Sequence, residues 1–221
     1  MSGGPTPLVI IGGGEHARVV LDAARSRPDL WTPAGYADSG PIAETERRGA
    51  VPYLGDDAAA APEALRLGAC VVLGFAALGS ARKRRELVAY WTAARVPFGI
   101  VVHARAWVSP EAVLEPGVVV LAGALVVTGA HVGAHAVLNT AAVIEHDVRI
   151  GAFTHVAPGA ILGGGAEVGD DCHVGLGARV RDHVRVGQSA TIAMGAVVVG
   201  PVETGAVVAG VPARPMRRSS P

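Results

Sequence analysis

The chain has 221 residues, enough for one large domain or two small ones with a real core. Lys plus Arg and Asp plus Glu balance at 19 each, which argues against a nucleic-acid surface or an acidic tail, and no apolar window is long enough to span a membrane. Half of the residues are hydrophobic yet only 4% are aromatic, so the core must be built from Val, Ile, Leu and Ala.

From the N-terminus, the apolar run Leu8–Ile11 is too short for a secretory signal and follows no basic segment, so the expected location is the cytoplasm. Next come Gly12-Gly13-Gly14-Glu15-His16-Ala17, then Val19, Val20, Leu21 and Ala24 at helical spacing. That is strand, glycine-rich turn, helix. The turn fits G-x-G-x-x-A, whose physics is anion capture: glycine lets the backbone approach a phosphate, and the helix N-terminus supplies N–H groups and a positive dipole end. Ala34–Asp38 reads as a second strand ending in an acid placed for a ribose or base contact. Helices are expected near 57–67 and 80–95, and strands at Ala69–Phe75 and Phe98–Val102. The run Arg82-Lys83-Arg84-Arg85-Glu86 reads as a solvated helix face, with a phosphate contact as the alternative. The order β-α-β-α-β-α-β argues for a small parallel sheet, a Rossmann-like domain over 1–103. At about 100 residues it suits one nucleoside diphosphate better than a whole dinucleotide. Cys70 and Cys172 both lie in apolar runs and form no disulfide framework, which fits a reducing compartment.

From Val108 the chain repeats in sixes. The first position of each hexad, Val108, Leu114, Val120 and so on to Val198, is branched aliphatic without exception. The fifth, from Ala112 to Val202, is always small or β-branched, and the second is often Gly, as at Gly133, Gly151, Gly163, Gly169, Gly175 and Gly187. A period of six fits neither a helix nor an alternating sheet. It specifies an all-β left-handed parallel β-helix over 104–221, with one flat side per hexad and about 18 residues per three-sided coil. Unbroken flat sides of rather apolar character predict association side by side.

Gly12–Val20, Asp38, Leu138-Asn139-Thr140, Ile144-Glu145-His146-Asp147, Ile150-Gly151, His155-Val156-Ala157-Pro158-Gly159-Ala160 and Gly210-Val211-Pro212-Ala213-Arg214 together resemble one family. It is the nucleotide-sugar 4-amino N-acetyltransferases of bacterial glycan synthesis, of the bacillosamine and perosamine type, within the hexapeptide-repeat acyltransferases. The sialic-acid-cluster O-acetyltransferases carry similar motifs, so a sugar hydroxyl is the alternative acceptor. The resemblance implies a homotrimer with active sites at subunit seams, a nucleotide-linked amino sugar on the N-terminal domain, acetyl-CoA as co-substrate between adjacent β-helices, and no metal. It places the catalytic base at His146 with Asp147 as its acidic partner, and His155 by the acetyl carbonyl. Gly12, Gly13, Gly14, Glu15, His16, Asp38 and Asn139 fall on sugar-nucleotide positions, and Leu176 and Met194 where the backbone meets the pantetheine arm. Two blocks depart from the family: Asp38 is followed by Ser39 rather than a second acid, and Gly74-Phe75-Ala76-Ala77 replaces a polar block near the nucleotide.

The chemistry agrees. Amide formation from a thioester needs a neutral amine and a group to take its proton, and a neutral histidine does this near pH 7. His146 lies mid-hexad and should project from the prism, with Asp147, or alternatively Glu145, fixing its tautomer. One coil later lie Gly163-Gly164-Gly165, expected to form an open shelf whose N–H groups, with Gly164 nearest, could hold the thioester oxygen. His155 and His173, 18 apart, should stack, while His131, His135 and His183 read as surface or interface residues. The γ-type carbonic anhydrases share the β-helix, but their zinc site needs a pair of histidines five apart, which this sequence lacks.

Overall fold

The structure, a computed structural model, describes residues 4–40, 51–76 and 81–216. The chain divides into two compact units, residues 1–104 and 105–221.

In the first unit, β1 (Thr6–Ile11), β2 (Trp31–Ala37) and β3 (Cys70–Leu73) form a parallel sheet in the order β2-β1-β3, with helices α1 (Glu15–Arg25), α2 (Asp57–Arg66) and α3 (Ala81–Ala93). The central strand is the most apolar, and Leu8, Val9, Ile10 and Ile11 are fully buried, as parallel strands covered on both sides require. The expected fourth strand is reduced to one parallel bridge, Val71 to Phe98, and the pair Val101–Val102. Asp56 caps α2 by accepting the Ala59 N–H at 2.9 Å, and the buried Trp91 of α3 donates its Nε1–H to Asp57 at 2.8 Å. The basic run at the start of α3 is not uniformly solvated. Arg82 pairs with Glu86 in solvent, whereas Arg84 is only 3% exposed. Ser80 and Ala77, at the ends of the expected helix and of the Gly74–Ala77 block, lie outside the described residues. No helix among the described residues is long and apolar enough to cross a membrane.

The second unit is a left-handed β-solenoid of about six turns. Its two-residue strands pair in parallel at an offset of 18, as in Val143 to Ile161 and Ile161 to Arg179. From Val120 to Val198 every first-position side chain is buried, and the small fifth-position residues fill the space between. The recurring second-position glycines have a steric cause. A Cβ on Gly133, Gly151, Gly163, Gly169, Gly175 or Gly187 would lie 2.4–2.7 Å from a backbone atom of the next coil. The fourth position carries a further rule. Gly117, Gly129, Asp147, Gly165, Asp171 and His183 all turn the corner with φ between +55° and +78°. The 18-residue register ends after Val198: Val202 bridges Val186 and Val207 pairs with Thr191, both two residues early. Val202 therefore takes a first-position place, not the fifth-position place its hexad count implies, and Pro201, which has no N–H for the ladder, marks the change.

The three faces differ in chemistry. The first presents Trp107, Leu125, Val143, Ile161, Arg179 and Val197 in one ladder, with Trp107 60% and Leu125 40% exposed. The second presents His131, Arg149, Glu167 and Arg185, laced by the pairs Glu115–His131 and Glu167–Arg185, both at 3.2 Å. The third carries Val137, His155, His173 and Thr191. Apolar flat sides were expected all round; the second face is instead charged.

Candidate active site

His146 is the third residue of its hexad, on the edge between the first and second faces, and Asp147 is the αL residue that turns that edge, φ +59°. Asp tolerates this conformation better than most side chains. The turn brings the Asp147 carboxylate to 3.0 Å from His146 Nδ1. A carboxylate there accepts a hydrogen bond from Nδ1–H and so keeps the proton on Nδ1, which leaves the lone pair of the neutral ring on Nε2. That hydrogen bond raises the His146 pKa against an opposing desolvation, with lesser help from the charges of Asp147 and Glu145. Glycines frame the dyad. A Cβ on Gly129, one coil earlier, would sit 2.4 Å from the Asp147 carboxylate, and a Cβ on Gly164, one coil later, 2.4 Å from His146 Nε2. The expected three-glycine shelf is therefore divided in its roles. Gly163 lets the next coil's backbone approach, and its N–H donates to Val180 O; the Gly165 N–H donates to His146 O. Of the three, Gly164 is buried against the His146 ring, and its N–H has no backbone acceptor among the described residues.

The next edge, between the third and first faces, holds a second set. Asn139 Nδ2 donates to His155 Nε2 at 3.1 Å, and the Asn139 carbonyl oxygen accepts the Thr140 N–H at 2.8 Å. His155 stands in register with His173, their rings edge to face at 5.1 Å, and burial lowers the His173 pKa so that it is neutral near pH 7. Along the same edge Leu176 and Met194 project in successive coils, 57% and 77% exposed. Between them runs a bare strip: a Cβ on Gly159, Gly177 or Gly195 would meet nothing within 4 Å. A narrow apolar strip without side chains suits a long, thin ligand. The hexad pattern of fourth-position glycines carried this signal, and reading only first, second and fifth positions missed it. Within one chain, His146 and Asp147 are brought to Gly164, and Asn139 to His155, but the two sets lie at opposite borders of the first face.

The first unit holds a cavity of about 280 Å³ lined by Gly12, Gly14, Asp38, Ser39, Phe75 and Lys83, among others. Asp38 accepts the Gly13 N–H at 2.8 Å with one oxygen and the Ser39 N–H at 2.6 Å with the other. The Gly12 N–H donates to Ala37 O at 2.7 Å, so neither of the first two glycines has a free donor. The anion-binding capacity lies one step on, at Gly14 and Glu15, where α1 begins with no side-chain cap. His16 is not among the residues lining that cavity; burial, and then the charge of Arg84, lower its pKa. Phe75, the unexpected residue of the third loop, closes on the turn so tightly that a Cβ at Gly12 would touch its ring at 3.0 Å. Lys83 stands 5.6 Å over that ring and is a cation of the cavity wall.

The sequence profile of the PglD N-terminal domain matches residues 7–91. Among solved structures, a histidine-to-asparagine variant of perosamine N-acetyltransferase from Caulobacter crescentus, in complex with CoA and GDP-perosamine, is 33% identical, covers 97% of each chain and superposes with a TM-score of 0.84. The acetyltransferase domain of PglB from Neisseria gonorrhoeae, in complex with acetyl coenzyme A, is 29% identical over 96% of this chain and 100% of that one, TM-score 0.84. WeeI from Acinetobacter baumannii, at 21% identity and a TM-score of 0.77, shares the fold. No curated protein sequence matches the chain.

Proposed function

Because the chain belongs to the CoA-dependent sugar N-acetyltransferases of the hexapeptide-repeat superfamily, we propose that it moves the acetyl group of acetyl-CoA to the 4-amino group of a nucleotide-linked amino-deoxy sugar, with His146 as general base. The observation that carries this is the His146–Asp147 dyad, hydrogen-bonded at Nδ1, with the half-exposed ring laid against Gly164 through its Nε2 side. The amine nitrogen attacks the thioester carbon, His146 Nε2 takes its proton, and the imidazolium is stabilised by Asp147. The Gly164 N–H is the candidate donor to the developing oxyanion. The uncapped start of α1, with Lys83 and Asp38 in the same cavity, suits a nucleoside diphosphate, and the Caulobacter relative's complex with GDP-perosamine makes a guanosine sugar the first to try.

The apolar first face supports a trimer. In a closed head-to-tail ring each prism meets two neighbours through different edges. With the apolar face turned toward the ring's axis, the His146 edge of one protomer meets the Asn139, His155, Leu176 and Met194 edge of the next. The bare strip Gly159, Gly177 and Gly195 then becomes the wall for the pantetheine arm of acetyl-CoA. A cytoplasmic location, where acetyl-CoA and nucleotide sugars are made, fits this reading.

The test is release of free CoA from acetyl-CoA against GDP-, UDP- and dTDP-linked 4-amino-4,6-dideoxy sugars, with His146→Asn alongside. Turnover with one of them, reduced about 10²–10⁴-fold in the variant, is expected. A fully active variant would refute the assignment of the base, and silence with every amine would point to a hydroxyl acceptor.

A further inference from the structure

We propose that His183 is a second catalytic imidazole of this site, the acid that protonates the departing thiolate of CoA. The inference rests on the acetyl-transfer reading and extends it to a residue whose sequence position suggested only a surface role.

His183 stands 36 residues after Asp147, two coils on along the same edge, and like Asp147 it turns the corner in the left-handed region, φ +55°. The coil between them carries Gly164 and Gly165 and presents no side chain. Both histidines lean onto that gap. A Cβ on Gly164 would lie 2.4 Å from His146 Nε2, and a Cβ on Gly165 would lie 2.5 Å from His183 Nδ1. Backbone bonds tie the three coils together: the Gly165 N–H donates to His146 O at 2.8 Å, and the His183 N–H donates to Gly164 O at 2.9 Å. Two imidazoles thus approach one glycine step from the coils on either side of it. His183 is exposed at this corner, a conformation that His135, Ala141, Phe153 and Ser189 also adopt at the same hexad position and that histidine tolerates better than most side chains. Asp182 and Arg181 beside it, and His146, Asp147 and Glu145 two coils earlier, are the other charged or titratable groups of this stretch of edge.

The reaction needs two proton movements. As the C–N bond forms, His146 Nε2 takes a proton from the amine; as the C–S bond breaks, the electron pair goes to sulfur, and His183 gives sulfur a proton. Both rings reach solvent and recover their starting states by exchange with water, so the cycle is balanced. The order along the edge fits the donor's own order. The acetyl carbon lies at the His146 level, and the sulfur and cysteamine follow toward the coils that carry Leu176 and Met194 on the facing edge.

The test is the pH profile of kcat/KM for His183→Asn, with His146→Asn in parallel and CoA affinity measured by calorimetry. Asn accepts the corner's positive φ and can donate a hydrogen bond to sulfur, but it cannot surrender a proton. His183→Gly, which relaxes the corner, guards against a folding effect. The expected result is a fall in kcat of about a hundredfold in both variants, an alkaline decline in the parent's profile that both variants lack, an unmoved acidic limb and unchanged CoA affinity. A parent-like rate and profile in His183→Asn, or a change confined to KM for acetyl-CoA, would overturn the proposal. If His146→Asn is slow while His183→Asn is not, this inference alone falls; if both are fully active, the reading beneath it falls as well.

Discussion

At the scale of single residues, the site depends on what is absent beside His146 and Asp147 as much as on the pair itself. Gly129 makes room for the carboxylate and Gly164 for the ring. Asp147 raises the His146 pKa, chiefly through the hydrogen bond to Nδ1. The base works only when neutral, so activity should climb as pH rises through that raised value. In Asp147→Asn the His146 pKa falls back toward that of an ordinary histidine, and the acidic limb of kcat/KM moves to lower pH while the maximal rate drops. A limb that stays in place would mean that the carboxylate does not govern the ring. The dyad was legible in the sequence because its two members are neighbours within a recognisable block. Gly129 and His183 were not, because they reach the site only through the solenoid's register, 18 positions before Asp147 and 36 after it, and at corner positions whose backbone conformation the aliphatic pattern does not report.

At the scale of elements, the hexad pattern was sufficient for the solenoid because burial imposes a strict period: one large inward residue, one small one, and a glycine wherever the next coil's backbone comes within 3 Å. Adjacent glycines nevertheless have different reasons to be there. A methyl at Gly163 would meet the backbone N of Asp182 at 2.6 Å, whereas a methyl at Gly164 would meet only the end of the His146 side chain. Gly163→Ala should therefore destabilise the solenoid by about 1–3 kcal/mol, as overpacking does. Gly164→Ala should leave the unfolding temperature near the parent's and depress kcat by displacing the base. Equal thermal and catalytic effects in the two variants, measured by calorimetric melting and CoA release, would show that the shelf is only structural. What the period did not reveal was the chemistry of each face. The residues just before the first positions repeat every third hexad, so Leu125, Val143 and Ile161 fall on one face and His131, Arg149 and Glu167 on another. The apolar composition was visible in the sequence, but its confinement away from the charged face appears only once the coil is wound. In the first unit the strand–turn–helix over Thr6–Arg25 followed from its pattern, while the role of Phe75 did not, because its contact with Gly12 joins two loops far apart in sequence.

At the scale of the whole molecule, one chain is expected to supply half of each active site. The base and the glycine step lie at one border of the apolar face, and Asn139, His155 and the bare strip lie at the other. The most direct measurement mixes two inactive variants, His146→Ala and Asn139→Ala, by co-refolding, and follows CoA release against the same amino sugar. Each variant alone has a defect in every seam. In a mixed head-to-tail ring, about a quarter of the seams pair an intact base edge with an intact neighbouring edge by random assembly, and activity should return toward that fraction. A mixture as inactive as its two components would place both edges' chemistry within a single chain and contradict it.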